Sequence, residues 1–141
     1  MGLTTPITTI DSLHACLVVE NLPASVEWYR HVLGFDVLQS QDFPEMGAHV
    51  VFLGSHGVEL ELVESENFIP ARRPDPPIEH IRTQGISQLS FRVDDLETIL
   101  ERARSRNVQV ALGLVDAKPL RLKAFFIRDN DGNLLEFVER Y

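Results

Sequence analysis

The sequence predicts an α+β fold made of two consecutive modules, each with the element order βαβββ. Residues 14–22 (HACLVVENL) align without a gap with residues 88–96 (QLSFRVDDL), and residues 60–64 (LELVE) align with 135–139 (LEFVE). His14 and Gln88 lie 74 residues apart, and Glu61 and Glu136 lie 75 apart. Self-similarity at a fixed spacing indicates a duplicated architecture. In both copies a short apolar segment precedes an amphipathic helix, and segments typical of strands follow.

The first module is assigned to residues 11–66. A strand is predicted over 13–19, and Asn21 is expected to cap a helix that begins near Pro23 and ends at Gly34. Strands are predicted near 35–41, 48–53 and 58–64, because turn-forming residues separate them at 44–47 and 54–57. The helix carries an apolar stripe with helical spacing, formed by Leu22, Val26, Tyr29 and Leu33.

Residues 67–85 are predicted to be a linker, because they are rich in proline and show neither helical nor strand periodicity. This linker is either a tether or a lid that folds over a pocket. The second module, residues 86–140, is expected to repeat the order: a strand over 86–93, a helix capped by Asp94 or Asp95 and ending at Asn107, and strands over 108–112, 122–128 and 133–139. An Asp-Gly turn at 129–132 precedes the last strand. The chain, 1–141, is interpreted as a single domain.

Composition limits the function. The chain has 141 residues and a formal net charge of −8, which argues against nucleic-acid partners and anionic membrane surfaces. Its one cysteine, Cys16, cannot form an internal disulfide. No signal peptide or membrane-spanning stretch is apparent, so a cytoplasmic protein is expected.

Four repeat-equivalent side chains, those of His14, Glu61, Gln88 and Glu136, are the candidate site. Because strand side chains alternate between faces, all four are predicted on the sheet face away from the helices. If the two sheets face each other, the four side chains converge. Placing two carboxylates in a half-closed cup costs free energy, because both are desolvated and their charges repel each other. A divalent cation such as Ni, Co, Mn, Fe or Zn removes that cost. Taken singly, each residue also has an ordinary structural interpretation, such as a hydrogen-bonded histidine or a surface charge.

The same residues carry a resemblance to a known family. His14 lies in LHACLVV, residues 25–35 read SVEWYRHVLGF, Glu61 lies in LEL, Gln88 in GISQLSF and Glu136 in DNDGNLLEF. This pattern resembles the vicinal oxygen chelate superfamily, which includes glyoxalase I, extradiol dioxygenases and bleomycin-binding proteins. The resemblance implies paired βαβββ modules that form a cupped mixed sheet, with one metal ligand from each of four strands. It also implies a small-molecule substrate and a homodimer, sometimes with sites shared between subunits.

Within that superfamily the ligand set is most similar to glyoxalase I, which uses two carboxylates and two histidine or glutamine ligands. The resemblance assigns the catalytic base to Glu136 and its symmetric partner to Glu61. Dioxygenases, fosfomycin-resistance enzymes and epimerases carry histidine where this chain has Gln88, and residues 63–67 differ from the glutathione-binding stretch of glyoxalases. Substrate contacts are expected from Phe52, Ser90, Arg92 and Phe126, and an anionic substrate tail could meet Arg72, Arg73, Lys118 and Arg121.

Three functions therefore follow as hypotheses. The first is a metal-dependent lyase or isomerase that acts on a small α-oxygenated carbonyl compound. The second is an extradiol-type ring-cleaving dioxygenase. The third is a metal-free protein that binds a drug in the cup, as bleomycin-resistance proteins do.

Overall fold

The computed structural model describes residues 4–71 and 75–141, and these residues form two four-stranded sheets, each with one α-helix. The first module comprises β1 (Ala15–Val18), α1 (Leu22–Leu33), β2 (Asp36–Phe43), β3 (Ala48–Ser55) and β4 (Val58–Ser65). The second comprises β5 (Leu89–Arg92), α2 (Leu96–Ser105), β6 (Val110–Ala117), β7 (Leu122–Arg128) and β8 (Leu134–Arg140). The strand orders are β1-β4-β3-β2 and β5-β8-β7-β6. The predicted α+β fold with a repeated βαβββ order is confirmed.

The start of α1 has two capping contacts. The Asn21 side chain accepts a hydrogen bond from the backbone N–H of Ala24 at 3.0 Å, as predicted. Glu64, at the end of β4, accepts a further bond from the backbone N–H of Leu22 at 3.4 Å. The helix ends at Gly34, whose φ of 72° places it in the left-handed region. Glu64 therefore stabilises the helix that packs against its own sheet.

The start of α2 repeats only one of these contacts. Glu139, the repeat equivalent of Glu64, accepts a hydrogen bond from the backbone N–H of Leu96 at 3.1 Å. Asp95 occupies the N-cap position, but its side chain makes no capping bond to the helix backbone. Instead it accepts a bond from the Thr98 hydroxyl at 2.9 Å. The cap predicted at Asp95 is thus in the right place, while the capping carboxylate comes from the last strand.

One hydrophobic core spans both modules. Leu62 of β4 and Phe137 of β8 belong to the same buried cluster as Tyr29 of α1 and Leu100 of α2. Across the module boundary, the rings of Phe35 and Phe91 lie 6.4 Å apart. Burial of large apolar side chains is the main stabilising contribution to such a fold. The two sheets therefore pack together through the faces that carry the helices.

A buried hydrogen bond also joins the modules. The Tyr29 hydroxyl donates to Asp129 Oδ2 at 2.6 Å, and Tyr29 is fully buried. Asp129 begins the predicted turn at 129–132, and its Oδ1 accepts bonds from the backbone N–H groups of Asp131 and Asn133 at 2.9 and 2.8 Å. Burial, followed by the charge of Asp129 and the hydrogen bond to it, raises the pKa of Tyr29 far above its usual range. The phenol therefore stays protonated and remains a donor.

The predicted linker contains structure. A short 3₁₀ helix, Glu79–Arg82, lies within it, and His80 of that helix is buried. The ring of His80 meets the edge of Phe126 on β7, with centroids 5.4 Å apart. The described part of the linker therefore packs on a sheet face, and both the tether and the lid stay predictions. Arg72 and Arg73, which were predicted to meet an anionic substrate tail, lie outside the described residues. Among the residues that the structure describes, no helix is long and apolar enough to cross a membrane.

Candidate functional site

The first half-site, which we define as His14, Cys16, Phe52 and Glu61, lies on the sheet face opposite the core. In the strand register, Cys16 of β1 and Phe52 of β3 both sit directly beside Glu61 of β4. Directly paired residues in a sheet project from the same face. His14 immediately precedes β1, and its Nε2 lies 3.3 Å from Glu61 Oε1. The His14 ring also meets the Phe52 ring edge-on, with centroids 5.8 Å apart.

This half-site is open to solvent. The His14 and Glu61 side chains are 47% and 23% exposed. Partial burial, then the negative charge of Glu61 and a hydrogen bond to it, raise the pKa of the Cys16 thiol. The thiol therefore stays protonated beside the Glu61 carboxylate. Cys16 was not among the predicted site residues, although its position in the aligned repeat marks it as the equivalent of Ser90.

The second half-site consists of Gln88, Ser90, Phe126 and Glu136. Ser90 of β5 and Phe126 of β7 pair with Glu136 of β8, as Cys16 and Phe52 pair with Glu61. The Ser90 hydroxyl donates to Glu136 Oε1 at 2.8 Å. The structure thus places both predicted carboxylates at equivalent positions, each beside a phenylalanine and a hydroxyl or thiol donor.

The side-chain oxygen of Gln88 is a candidate ligand for a bound metal ion. Its Oε1 is buried, and it has no hydrogen-bond partner among the described residues. A buried acceptor without a partner costs about 1–3 kcal/mol. A cation or a ligand donor would remove that cost. An amide oxygen, an imidazole and two carboxylates also form a donor set suited to a divalent transition metal.

The two half-sites do not meet within one chain. Among the described side chains, no three from His, Cys, Asp and Glu are grouped so that they could hold a metal ion. His14 and Glu61 lie together, but Glu136 does not join them. The described residues of a single chain therefore do not bring His14, Glu61 and Glu136 together, as they would if the two sheets faced each other. The physical reason is that the helix-bearing faces share one core, which leaves both half-sites on outward faces.

The remaining predicted substrate residues differ in their surroundings. Arg92 is exposed and lies two residues after Ser90 on β5, and thus on the same sheet face. Lys118 lies in the 3₁₀ turn Lys118–Leu120 between β6 and β7. Arg121 follows that turn, and its Nε donates to the backbone carbonyl of Tyr141 at 3.0 Å. This hydrogen bond joins the β6–β7 connection to Tyr141, which follows β8.

Comparison with known proteins identifies the family. The sequence profile of the glyoxalase/bleomycin resistance protein/dioxygenase superfamily matches residues 12–137. The chain belongs to this superfamily. The matched region contains both half-sites and the linker between them, so the resemblance seen in the sequence is confirmed.

Individual superfamily members cover nearly the whole chain. Lactoylglutathione lyase of Neisseria meningitidis serogroup A is 27% identical over 130 residues, which cover 91% of this chain and 89% of the relative. Lactoylglutathione lyase of Haemophilus influenzae is 28% identical over 131 residues, with 90% of each chain covered. The crystal structure of a glyoxalase family protein from Enterococcus faecalis superimposes with a TM-score of 0.73 at 27% identity, covering 94% of this chain and 98% of that one.

Proposed function

We propose that the protein is a glyoxalase-like lyase or isomerase that depends on a divalent metal and acts on a small α-oxygenated carbonyl compound. The observation that carries this proposal is the pair of equivalent half-sites, each with a carboxylate in contact with a polar side chain: His14 at Glu61 and Ser90 at Glu136. The proposed ligands are His14, Glu61, Gln88 and Glu136, and the ion is one of Ni, Co, Mn, Fe or Zn. Similarity to lactoylglutathione lyases supports the same class of reaction.

The complete site is proposed to form between two copies of the chain. The first half-site of one subunit would meet the second half-site of its partner, giving two identical sites per homodimer. Exposed apolar side chains beside the half-sites support this arrangement. Val18 is 58% exposed and shares a face with Cys16, and Ile86 is 94% exposed two residues before Gln88. Burying one such side chain stabilises an interface by about 1.5–3 kcal/mol.

In this arrangement the chain's own residues perform the proton transfer. A bound metal ion would polarise the substrate carbonyl as a Lewis acid and so acidify the neighbouring C–H. The Glu136 carboxylate removes that proton and returns it to the adjacent carbon. Ser90 holds Oε1 of Glu136 by its hydrogen bond, and Oε2, once it has released the ion, would accept the proton. Phe52 and Phe126 lie beside Glu61 and Glu136 on the same sheet face.

The test compares metal-free and metal-loaded protein. Protein stripped of metal is reloaded separately with Ni, Co, Mn or Zn, and deuterium exchange from solvent into hydroxyacetone is followed by NMR. We expect exchange only after loading, and a loss of about 10²-fold or more in Glu136→Gln. Glu101→Gln, on the exposed side of α2, serves as the matched control. Wild-type turnover in Glu136→Gln refutes the proposal, and oxygen uptake with catechols in place of exchange would support the dioxygenase.

A further inference from the structure

The linker contributes a buried histidine to the second half-site. His80 is only 6% exposed, and its Nδ1 has no hydrogen-bond partner among the residues that the structure describes. Its ring meets Phe126 edge-on at 5.4 Å with an interplanar angle of 67°. Phe126 pairs directly with Glu136 and projects from the same face. His80 therefore covers the sheet face that carries the proposed catalytic base.

This arrangement repeats the first half-site through a different part of the chain. There the His14 ring meets Phe52 at 5.8 Å and 61°, and Phe52 pairs with Glu61. Gln88 occupies the repeat position of His14, so β5 supplies no imidazole to the second half-site. His80 places an imidazole on the equivalent phenylalanine instead. The two half-sites thus each carry an imidazole, one from the strand end and one from the linker.

Packing alone does not account for His80. An apolar ring would fill the space against Phe126 without burying an unpaired nitrogen, which costs about 1–3 kcal/mol. Gln88, which the repeat alignment assigns to the same half-site, carries a second buried polar atom without a partner in the described residues, its Oε1. The proposed metal ion would bind Gln88 Oε1, which leaves His80 Nδ1 as the buried atom that a polar group of the substrate completes.

We propose that His80 is a substrate-binding residue, an inference that rests on the proposed function. Its Nδ1–H donates a hydrogen bond to an oxygen of the bound α-oxygenated carbonyl compound. The oxygens of such a compound are acceptors, and a neutral imidazole protonated at Nδ1 supplies the donor. The 3₁₀ helix Glu79–Arg82 then places one substrate contact on the sheet face of Glu136. His80 acts on the substrate and leaves the metal to the four ligands named above.

The test uses acetohydroxamic acid, a small probe with two adjacent oxygens, and calorimetric titration of metal-loaded protein. His80→Phe keeps an aromatic ring on Phe126 and removes the donor, while His80→Asn keeps an amide N–H near the position of Nδ1. We expect His80→Phe to weaken probe binding about tenfold, or about 1.4 kcal/mol, and His80→Asn to bind within about threefold of wild type. His31→Phe, at an exposed position on α1, should bind the probe as wild type does.

Metal binding by the wild-type protein is measured first. This measurement distinguishes a failure of the proposed function from a failure of the proposed role of His80. Absence of stoichiometric metal refutes the proposed function. Normal metal binding with unchanged probe affinity in His80→Phe refutes the role of His80 alone. Loss of metal affinity in His80→Phe would make it a metal ligand, which also contradicts the proposal. If His80→Phe does not fold, ¹⁵N NMR of wild type decides: the Nδ1 signal of His80 must shift when the probe is added, and an unmoved signal overturns the proposal.

Discussion

Replacing Tyr29 with phenylalanine tests whether the buried bond between the modules stabilises the fold. The change removes one hydroxyl from a fully buried ring and leaves the ring packed against Phe35, whose centroid lies 5.9 Å away. It breaks the 2.6 Å bond to Asp129 Oδ2. That oxygen keeps a second donor, the Asn133 side-chain amide at 3.0 Å, so it is not left unpaired.

The expected cost follows from these contacts. A hydrogen bond to a charged group contributes about 1.5–3 kcal/mol, and the remaining amide donor places this one near the middle of that range. We therefore expect Tyr29→Phe to lower the free energy of unfolding by about 2 kcal/mol. For a domain of this size the unfolding midpoint should fall by about 6 °C.

Tyr141→Phe is the matched control. The Tyr141 hydroxyl also donates to an aspartate, Asp116, at 2.7 Å, but this pair is exposed. Exposed pairs of this kind contribute little in water, so the control should unfold as wild type does. Both variants are unfolded with urea and by heat at pH 7.5, with circular dichroism as the readout. Equal unfolding curves for Tyr29→Phe and wild type would refute the reasoning.

The same comparison has a pH dependence with a definite sign. Tyr29 keeps its proton in the folded protein because its pKa is raised, whereas in the unfolded chain it ionises near pH 10. Its contribution to stability is therefore complete below pH 10 and decreases as pH rises above that value. The difference between wild type and Tyr29→Phe should shrink by about 1 kcal/mol between pH 10 and pH 11. A constant difference would show that Tyr29 ionises normally in the folded state.

Three further outcomes concern the site and the proposed dimer. Ser90→Ala removes the donor that holds Glu136 and should weaken metal binding or exchange activity about 10–100-fold. Ser105→Ala, at an exposed position of α2, should change neither. Val18→Asp places a charge on the face of the first half-site and should shift a dimer to monomer in sedimentation velocity; an unchanged dimer excludes that face from the interface. Metal at about one hundred times its Kd should raise the free energy of unfolding by about 2.7 kcal/mol, and His14→Ala should abolish most of that gain.

Much of the fold was predictable because the duplication specifies it twice. The aligned repeats placed Glu61 and Glu136 at equivalent positions, and the strand registers confirm that both pair with a phenylalanine. The boundaries were less accurate where regular alternation fails. β6 runs from Val110 to Ala117, well beyond the predicted 108–112. Its register to β7 shifts between Val110 and Leu112 and again between Leu112 and Val115, which interrupts the alternating pattern.

The relative placement of the modules was not predictable from periodicity. Strand alternation assigns each side chain to a face, but it does not say which faces of two sheets pack together. That choice depends on contacts between distant residues, such as Tyr29 with Asp129 and Phe35 with Phe91. His80 could not be identified from the sequence either, because the linker has no repeat equivalent and no periodic signal. A lid was one of two interpretations of the linker, and only the fold shows which linker residue contacts a sheet.

Subunit complementation tests the central claim that equivalent half-sites form one metal site across two copies. Glu61→Ala and Glu136→Ala each remove one proposed ligand from every site of a homodimer, whereas glutamine would leave an amide oxygen such as the one proposed for Gln88. In a dimer that contains one chain of each variant, one of the two sites carries both changes and the other is intact. The measurement is the tightly bound metal in mixed dimers purified through two different tags. The account predicts about one ion per mixed dimer and little in either parent, whereas mixed dimers with no tightly bound metal would contradict it.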